Sequence, residues 1–241
     1  VREEDTLPIT QRSVFQGYKR ADGGVGTRNY VGIVTSVNCT ASAAKLLVKE
    51  AEKSGILDQF PGVDGIVPIV HGAGCCIGTN DEAFRKLQRA IWGYATHPNF
   101  ASVLMLGLGC ESNQIPAMLE AYGRQQDDAF QYFTLQSEGG TKKSIEKGLI
   151  WLETALKIAN KAVREPVDVS HLSVALQCGG SDGYSGITSN PALGHAVDLL
   201  VKNGGTAALA ETPEIYGAEN LLTNRASSPE VARKLIDLLE W

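Results

Sequence analysis

The sequence has few of the marks by which the commoner function classes are read. Its five cysteines form no Cys-x-x-Cys pair, so neither a zinc ribbon nor a thioredoxin-type redox motif applies. Neither G-x-x-x-x-G-K-[ST] nor a G-x-G-x-x-G set between strand and helix occurs, which weakens a nucleotide-binding reading. Basic charge is not in excess: 22 Lys and Arg face 27 Asp and Glu, a net charge of −5. That balance argues against a nucleic-acid or anionic-membrane partner, although a locally positive site for a small anion is compatible with it. The longest apolar runs, such as 101–109, fall far short of the roughly 20 residues a membrane-spanning helix needs. The opening residues are polar and show no apolar leader, so reduced thiols and a cytoplasmic setting are expected.

What is present is an ordinary globular balance, with 43% hydrophobic and 20% charged residues in a chain of 241. Residues 1–16 mix charges around Pro8 and read as a linker or arm, with regular structure expected from about Tyr30. From there apolar runs recur at 30–37, 65–70, 102–108, 131–135, 173–177 and 206–210. Continuous runs of this length suit strands buried on both faces. Helical patterns lie between them, at 41–53, 81–94, 114–122, 142–163 and 191–202. The alternation predicts an α/β fold: a mainly parallel sheet with flanking helices, a Rossmann-like three-layer architecture. The segment 164–170 breaks the longest helix, which divides the chain into a central α/β region at 17–166 and the start of a C-terminal α/β region at 167–241. Near the end, Ser227-Ser228-Pro229-Glu230 reads as a helix cap with proline at the first helical position.

Four apolar runs end alike. They lead into Asn38-Cys39-Thr40, His71-Gly72-Ala73-Gly74-Cys75, Gly109-Cys110-Glu111 and Cys178-Gly179-Gly180-Ser181-Asp182. In a parallel α/β sheet, ligands bind beyond the carboxyl ends of the strands. The intervals between these cysteines are 36, 35 and 68 residues, as repeated strand–helix units would give. Converging thiolates, with His71 nearby, suit a ferrous ion or an iron–sulfur cluster. The plainer reading is that cysteine is a small apolar filler at tight strand ends, and Cys76, outside the pattern, is read that way. The glycines permit close backbone approach and amide-lined anion sites, or simply tight turns. Glu111 and Asp182 are candidate general bases, or merely solvated carboxylates. Arg28 can clamp a carboxylate. However, Arg28 and Asn29 precede the first long strand, which points them to the opposite sheet edge.

The combination GYKRADGGVGTRN, TSVNC, HGAGC, GLGCESNQ and CGGSDGYSGITSNPALG, with the later NGGTAALAETPEIYGAENLL, resembles the altronate/galactarate dehydratase family. The likeness runs from about Gly17 to Trp241. It implies loss of water from a sugar acid to give a 2-keto-3-deoxy acid, with iron dependence. It also implies a β-clip domain on the same or a partner chain and further glycine-rich motifs beyond Trp241, so that only part of the site is expected here. On this reading Cys39, Cys75, Cys110 and Cys178 are the metal-facing thiols. The substrate groups are Arg28, Asn29, Gly179, Gly180, Ser181 and Ser185; the acid–base candidates are His71, Glu111 and Asp182. His71 cannot serve as ligand and base together. The expected partners are a small-molecule sugar acid and further copies of the chain in a homo-oligomer. Two alternatives stand beside this reading: a sulfo-lyase of the same wider family, acting on a sulfonated hydroxy acid, and a non-catalytic anion-binding module.

Overall fold

The computed structural model describes residues 5–177 and 182–240. The chain divides into two units, Gln16–Pro166 and Val1–Phe15 with Val167–Trp241. Regular structure begins earlier than Tyr30. Strand β1 (Val14–Lys19) pairs antiparallel with the two-residue β2 (Val25–Gly26), in the register Tyr18↔Gly26. Both strands are too short, and β1 too exposed, to show a hydrophobic period. Gly26 is required where it stands, because a Cβ there would collide with the backbone carbonyl of Pro98.

The alternation that follows is the one expected. In order come β3 (Tyr30–Thr35), α1 (Ala41–Lys53), β4 (Gly65–Ile69), α2 (Glu82–Ala95), β5 (Phe100–Gly107), α3 (Ile115–Ala121), β6 (Phe130–Thr134) and α4 (Thr141–Ala159). The four strands form one parallel sheet in the order β4-β3-β5-β6. Side chains of β3 and β5 alternate between two cores. Val31, Ile33, Leu104 and Leu106 pack with Ala44, Leu47 and Val48 of α1 and Leu152, Ala155 and Leu156 of α4. Val34, Val103 and Met105 face the other way, onto Ile91 of α2 and Met118 of α3. The sheet is thus the middle of three layers. Its central strands are mostly apolar because neither face meets water, and the buried hydroxyls of Thr35 and Ser102 donate to carbonyls. Pro68 sits in β4, an edge strand, where its missing N–H leaves no gap in a ladder.

At the amino end of this sheet Asn29 is fully buried and ties three elements together. Its Nδ2 donates to the carbonyls of Gly62 at 2.7 Å and Ala159 at 2.8 Å, while Oδ1 accepts from Arg20 Nη1 at 3.0 Å. Its backbone N–H donates to Asp64 Oδ2 at 2.6 Å.

Strand β7 (Glu165–Asp168) lies next to β1, giving the sheet order β2-β1-β7. The C-terminal unit then builds a second parallel pair. Strand β8 (Ser173–Leu176) and β9 (Thr206–Leu209) are joined through α5 (Ser189–Lys202) and paired from Ser173↔Thr206 to Leu176↔Leu209. A short α6 (Asn220–Thr223) and α7 (Pro229–Glu240) follow. The expected cap is present: Ser228 Oγ accepts the Val231 N–H at 3.3 Å, with Pro229 opening the helix. Residues 5–15 are bound into this unit. Leu7 N–H donates to the Lys202 carbonyl at 2.8 Å, and Ser13 N–H to Asn203 Oδ1 at 2.8 Å. Among the described residues no helix is long and apolar enough to cross a membrane.

Asn29→Ala is expected to lower stability by about 1–3 kcal/mol, because it takes a buried donor from the carbonyls of Gly62 and Ala159, the latter keeping only the Ala162 N–H, and removes a partner from Arg20. Thermal denaturation measures this; an unchanged midpoint would show that the three bonds do not hold the sheet's amino end.

Candidate active site

The order β4-β3-β5-β6 places a topological switch point between β3 and β5. The chain leaves β3 toward one edge of the sheet and β5 toward the other. Their carboxyl-end loops therefore lead off to opposite sides, and in such sheets the crevice expected between them is the usual ligand position. The loops entering it are a 3₁₀ turn at Asn38–Thr40, the segment from His71 to Asn80, and residues 108–114.

The floor of the crevice is a buried carboxylate. Glu111 is 3% exposed and its oxygens are filled. Oε1 accepts from Ser36 Oγ at 2.7 Å and from the Leu108 N–H at 3.1 Å; Oε2 accepts from the Gly109 N–H at 2.6 Å. Three donors compensate the burial of the charge and fix the loop that carries Cys110. Glycine is forced on both sides. A Cβ at Gly107 would lie 2.6 Å from Glu111 Oε1, and Gly109 has φ +120° with Gln136 against it. The expected base is therefore placed as an anchor: its oxygens point at amides and a hydroxyl, not into open space.

Neighbouring loops are stitched by backbone bonds. Asn38 N–H donates to the Ala73 carbonyl at 3.2 Å and Ser112 N–H to the Cys75 carbonyl at 2.8 Å. His71 Nδ1 accepts the Ala73 N–H at 3.1 Å, which assigns the ring proton of the neutral imidazole to Nε2. Nε2 is buried and makes no hydrogen bond among the described residues. Burial holds this imidazole below the ordinary histidine range, with the nearby backbone of Thr35 and Ser36 opposing in part. The neutral ring therefore has its one acceptor nitrogen already occupied.

Cys39, Cys75, Cys76 and Cys110 are free and exposed. The Cys39 thiol contacts Asn38 Oδ1 at 3.4 Å. Among the described residues no three His, Cys, Asp or Glu side chains are grouped to hold a metal ion. The fit to iron is therefore not met by the described side chains, although thiols of this exposure are suitable soft donors. Cys178, Gly179, Gly180 and Ser181 lie outside the described residues. Arg28 is exposed at the amino end of β3, and Asn29 beside it is engaged as described above. The structure places neither with the loops at the carboxyl ends.

In the C-terminal unit Asp182 shapes a turn. Its Oδ1 accepts the N–H groups of Tyr184 at 2.9 Å and Ser185 at 3.0 Å, while Ser185 Oγ donates to its carbonyl at 2.8 Å. This turn leads toward α5. Beyond β8 and β9 a cleft of about 270 Å³ opens, lined by Leu176, Gln177, Asn190, Leu193, Glu211 and Ile215. Glu211 accepts a hydrogen bond from Gln177 Nε2 at 3.1 Å.

Sequence reasoning passes over Ser36 and Glu211. The signal for Ser36 is a buried hydroxyl just beyond a mostly apolar strand, where a polar group demands a partner. For Glu211 it is a carboxylate immediately after the β9 run, the position already valued in the other strands. Glu111→Gln is expected to cost about 1–3 kcal/mol, since its amide nitrogen would face an N–H or hydroxyl donor. A urea midpoint equal to that of the unaltered protein would remove the anchoring role.

The sequence matches the family described as D-galactarate dehydratase/altronate hydrolase, second domain, over residues 17–160. Residues 169–241 match the D-galactarate/altronate dehydratase C-terminal family. A protein named galactarate dehydratase (L-threo-forming) from Escherichia coli is 39% identical over 98% of the chain and 46% of its own length. An altronate dehydratase from Bacillus subtilis is 36% identical over 95% of the chain and 45% of its own. A (2R)-sulfolactate sulfo-lyase subunit beta from Chromohalobacter salexigens is 30% identical over 91% and 52%. The chain spans about half the length of the curated relatives it matches. With both family matches falling on the two α/β segments, one on each, the chain belongs to the D-galactarate dehydratase/altronate hydrolase family.

Proposed function

We propose that the protein carrying this chain is a sugar-acid dehydratase, a hydro-lyase that removes water from an aldonate or aldarate such as altronate or galactarate. The product is a 2-keto-3-deoxy acid. The observation that carries this reading is family membership across both α/β segments, with relatives named for dehydration of these two acids.

The chemistry sets the demands. The hydrogen next to a carboxylate is weakly acidic, so its removal needs a placed base and strong stabilisation of the enediolate that forms. Amide-rich glycine turns at strand ends are suited to the substrate carboxylate and to that developing charge. Ser181, Ser185 and the glycines 179 and 180 are proposed for substrate contact, while Arg28, expected to share that role, lies at the amino end of β3. His71, Glu111 and Asp182 are proposed as groups that hold the loops in position, since each already accepts hydrogen bonds from neighbouring backbone. Iron is proposed on the soft-donor chemistry of the Cys39, Cys75, Cys110 and Cys178 thiols alone, since the described side chains do not gather into a site for it. A cytoplasmic setting, a homo-oligomer and a β-clip partner domain complete the reading.

A second reading has its own support. The relative named for sulfolactate cleavage shares the family at 30% identity, so sulfite, not water, is a possible leaving group on the same carbon framework. One experiment separates them. The full-length protein, purified without oxygen, is offered galactarate, altronate and sulfolactate, and 2-keto acid and sulfite are measured. Formation of 2-keto acid from a sugar acid without sulfite release is expected. Sulfite release from sulfolactate alone would favour the second reading, and no turnover of any acid would sink both. Iron content and loss of activity on chelation are read from the same preparation. Full activity in a metal-free sample would exclude the metal.

A further inference from the structure

We infer that Glu211 is the base that removes the α-hydrogen in the dehydration proposed above, an inference that rests on that reading. The residue stands at the carboxyl end of a parallel strand, just after β9, on the wall of the 270 Å³ cleft. Leu176, Leu193 and Ile215 make that wall largely apolar, while Gln177, Asn190, Glu211 and Glu214 supply polar groups, Glu211 being the carboxylate oriented by a hydrogen bond to the wall itself. This is the usual composition of a small-ligand site.

The backbone gives a second, independent sign. Among the described residues Glu211 is the one non-glycine with positive φ, at φ 59° and ψ 62°. A side chain in this region is strained, and such strain persists where the surroundings impose it, most often at functional sites. The surroundings here are explicit. The preceding Ala210 N–H is held by the Leu176 carbonyl at 2.8 Å, and the Glu211 carbonyl accepts the Glu214 N–H at 2.9 Å. The side chain is held by one oxygen only, Oε1, to Gln177 Nε2. Its other oxygen has no hydrogen-bond partner among the described residues. Glu111, by contrast, has both oxygens engaged in a buried site. Asp182 closes its own turn. Of these three carboxylates Glu211 alone is oriented on one side and open on the other, as a base must be.

The step balances on this one residue. The Glu211 carboxylate takes the hydrogen of the carbon next to the substrate carboxylate as a proton, and the C–H electron pair enters the carboxylate as an enediolate. That pair then forms the Cα=Cβ bond as the β-carbon–oxygen bond breaks. The departing hydroxide recovers the proton from Glu211 and leaves as water. The enol so formed tautomerises to the 2-keto acid.

The test uses the full-length protein with galactarate and altronate. Glu211→Gln keeps the shape and removes the base. Glu211→Gly removes the side chain while suiting the left-handed backbone, so it is expected to fold at least as stably. Both variants should lose about 10²–10⁴-fold in kcat, the range of general base catalysis, while KM moves less than about threefold. Exchange of the α-hydrogen in heavy water should fall in parallel, and formate should restore activity to Glu211→Gly but not to Glu211→Gln. Either variant retaining kcat within about threefold of the unaltered enzyme overturns the inference and leaves the dehydratase reading standing. An unaltered enzyme that forms no 2-keto acid from either acid overturns both.

Discussion

Everything in the larger unit follows from the burial of β3 and β5 on both faces. A strand with helices above and below has no water to satisfy its backbone, so its N–H and C=O groups must pair with neighbouring strands. For β3 that means β4 on one side and β5 on the other, in a parallel register fixed from Tyr30 onward. Parallel neighbours require crossover helices, and those helices must lie on opposite faces when the chain first moves one way and then the other. Packing of α1 and α4 on one side, and α2 and α3 on the other, is the observed result. The crevice between the loops after β3 and β5 is the geometric remainder of this requirement.

Much of this was open to inspection in the residues themselves. The stripe Ala44, Leu47, Val48 and Ala51 is buried as its spacing predicts, and the strand runs lie within one or two residues of their expected ends. Strands β1, β2 and β7 are not legible, because β2 and β7 have four residues or fewer and β1 leaves half of its residues exposed. The polar centres were harder for a different reason. Ser36 and Glu111 are 75 positions apart, and Asn29 reaches Ala159 across 130. No local rule reports which donor a buried oxygen will meet. The family resemblance marks Asn29, beside Arg28, as a ligand for substrate. It is a bracket for the sheet's amino end.

The C-terminal unit obeys the same strand–helix–strand logic on a smaller scale, yet it shields little of its own apolar surface. Leu209 is 59% exposed and Leu238 61%, and no residue of α5 or α7 is buried. Its order rests more on hydrogen bonds: the β8–β9 ladder, the turn at Asp182, and the bonds from residues 7 and 13 to the end of α5. The strained conformation at Glu211 is imposed by such bonds and not by dense packing.

The anchor beneath the crevice has a mechanical meaning. Ser36 lies three residues before Cys39, and Glu111 directly follows Cys110. Because one carboxylate grips both strand ends, the loops bearing these thiols form a single stiff plate. The separation of the two thiol loops is thus set from below, by one buried carboxylate and a link of 2.7 Å.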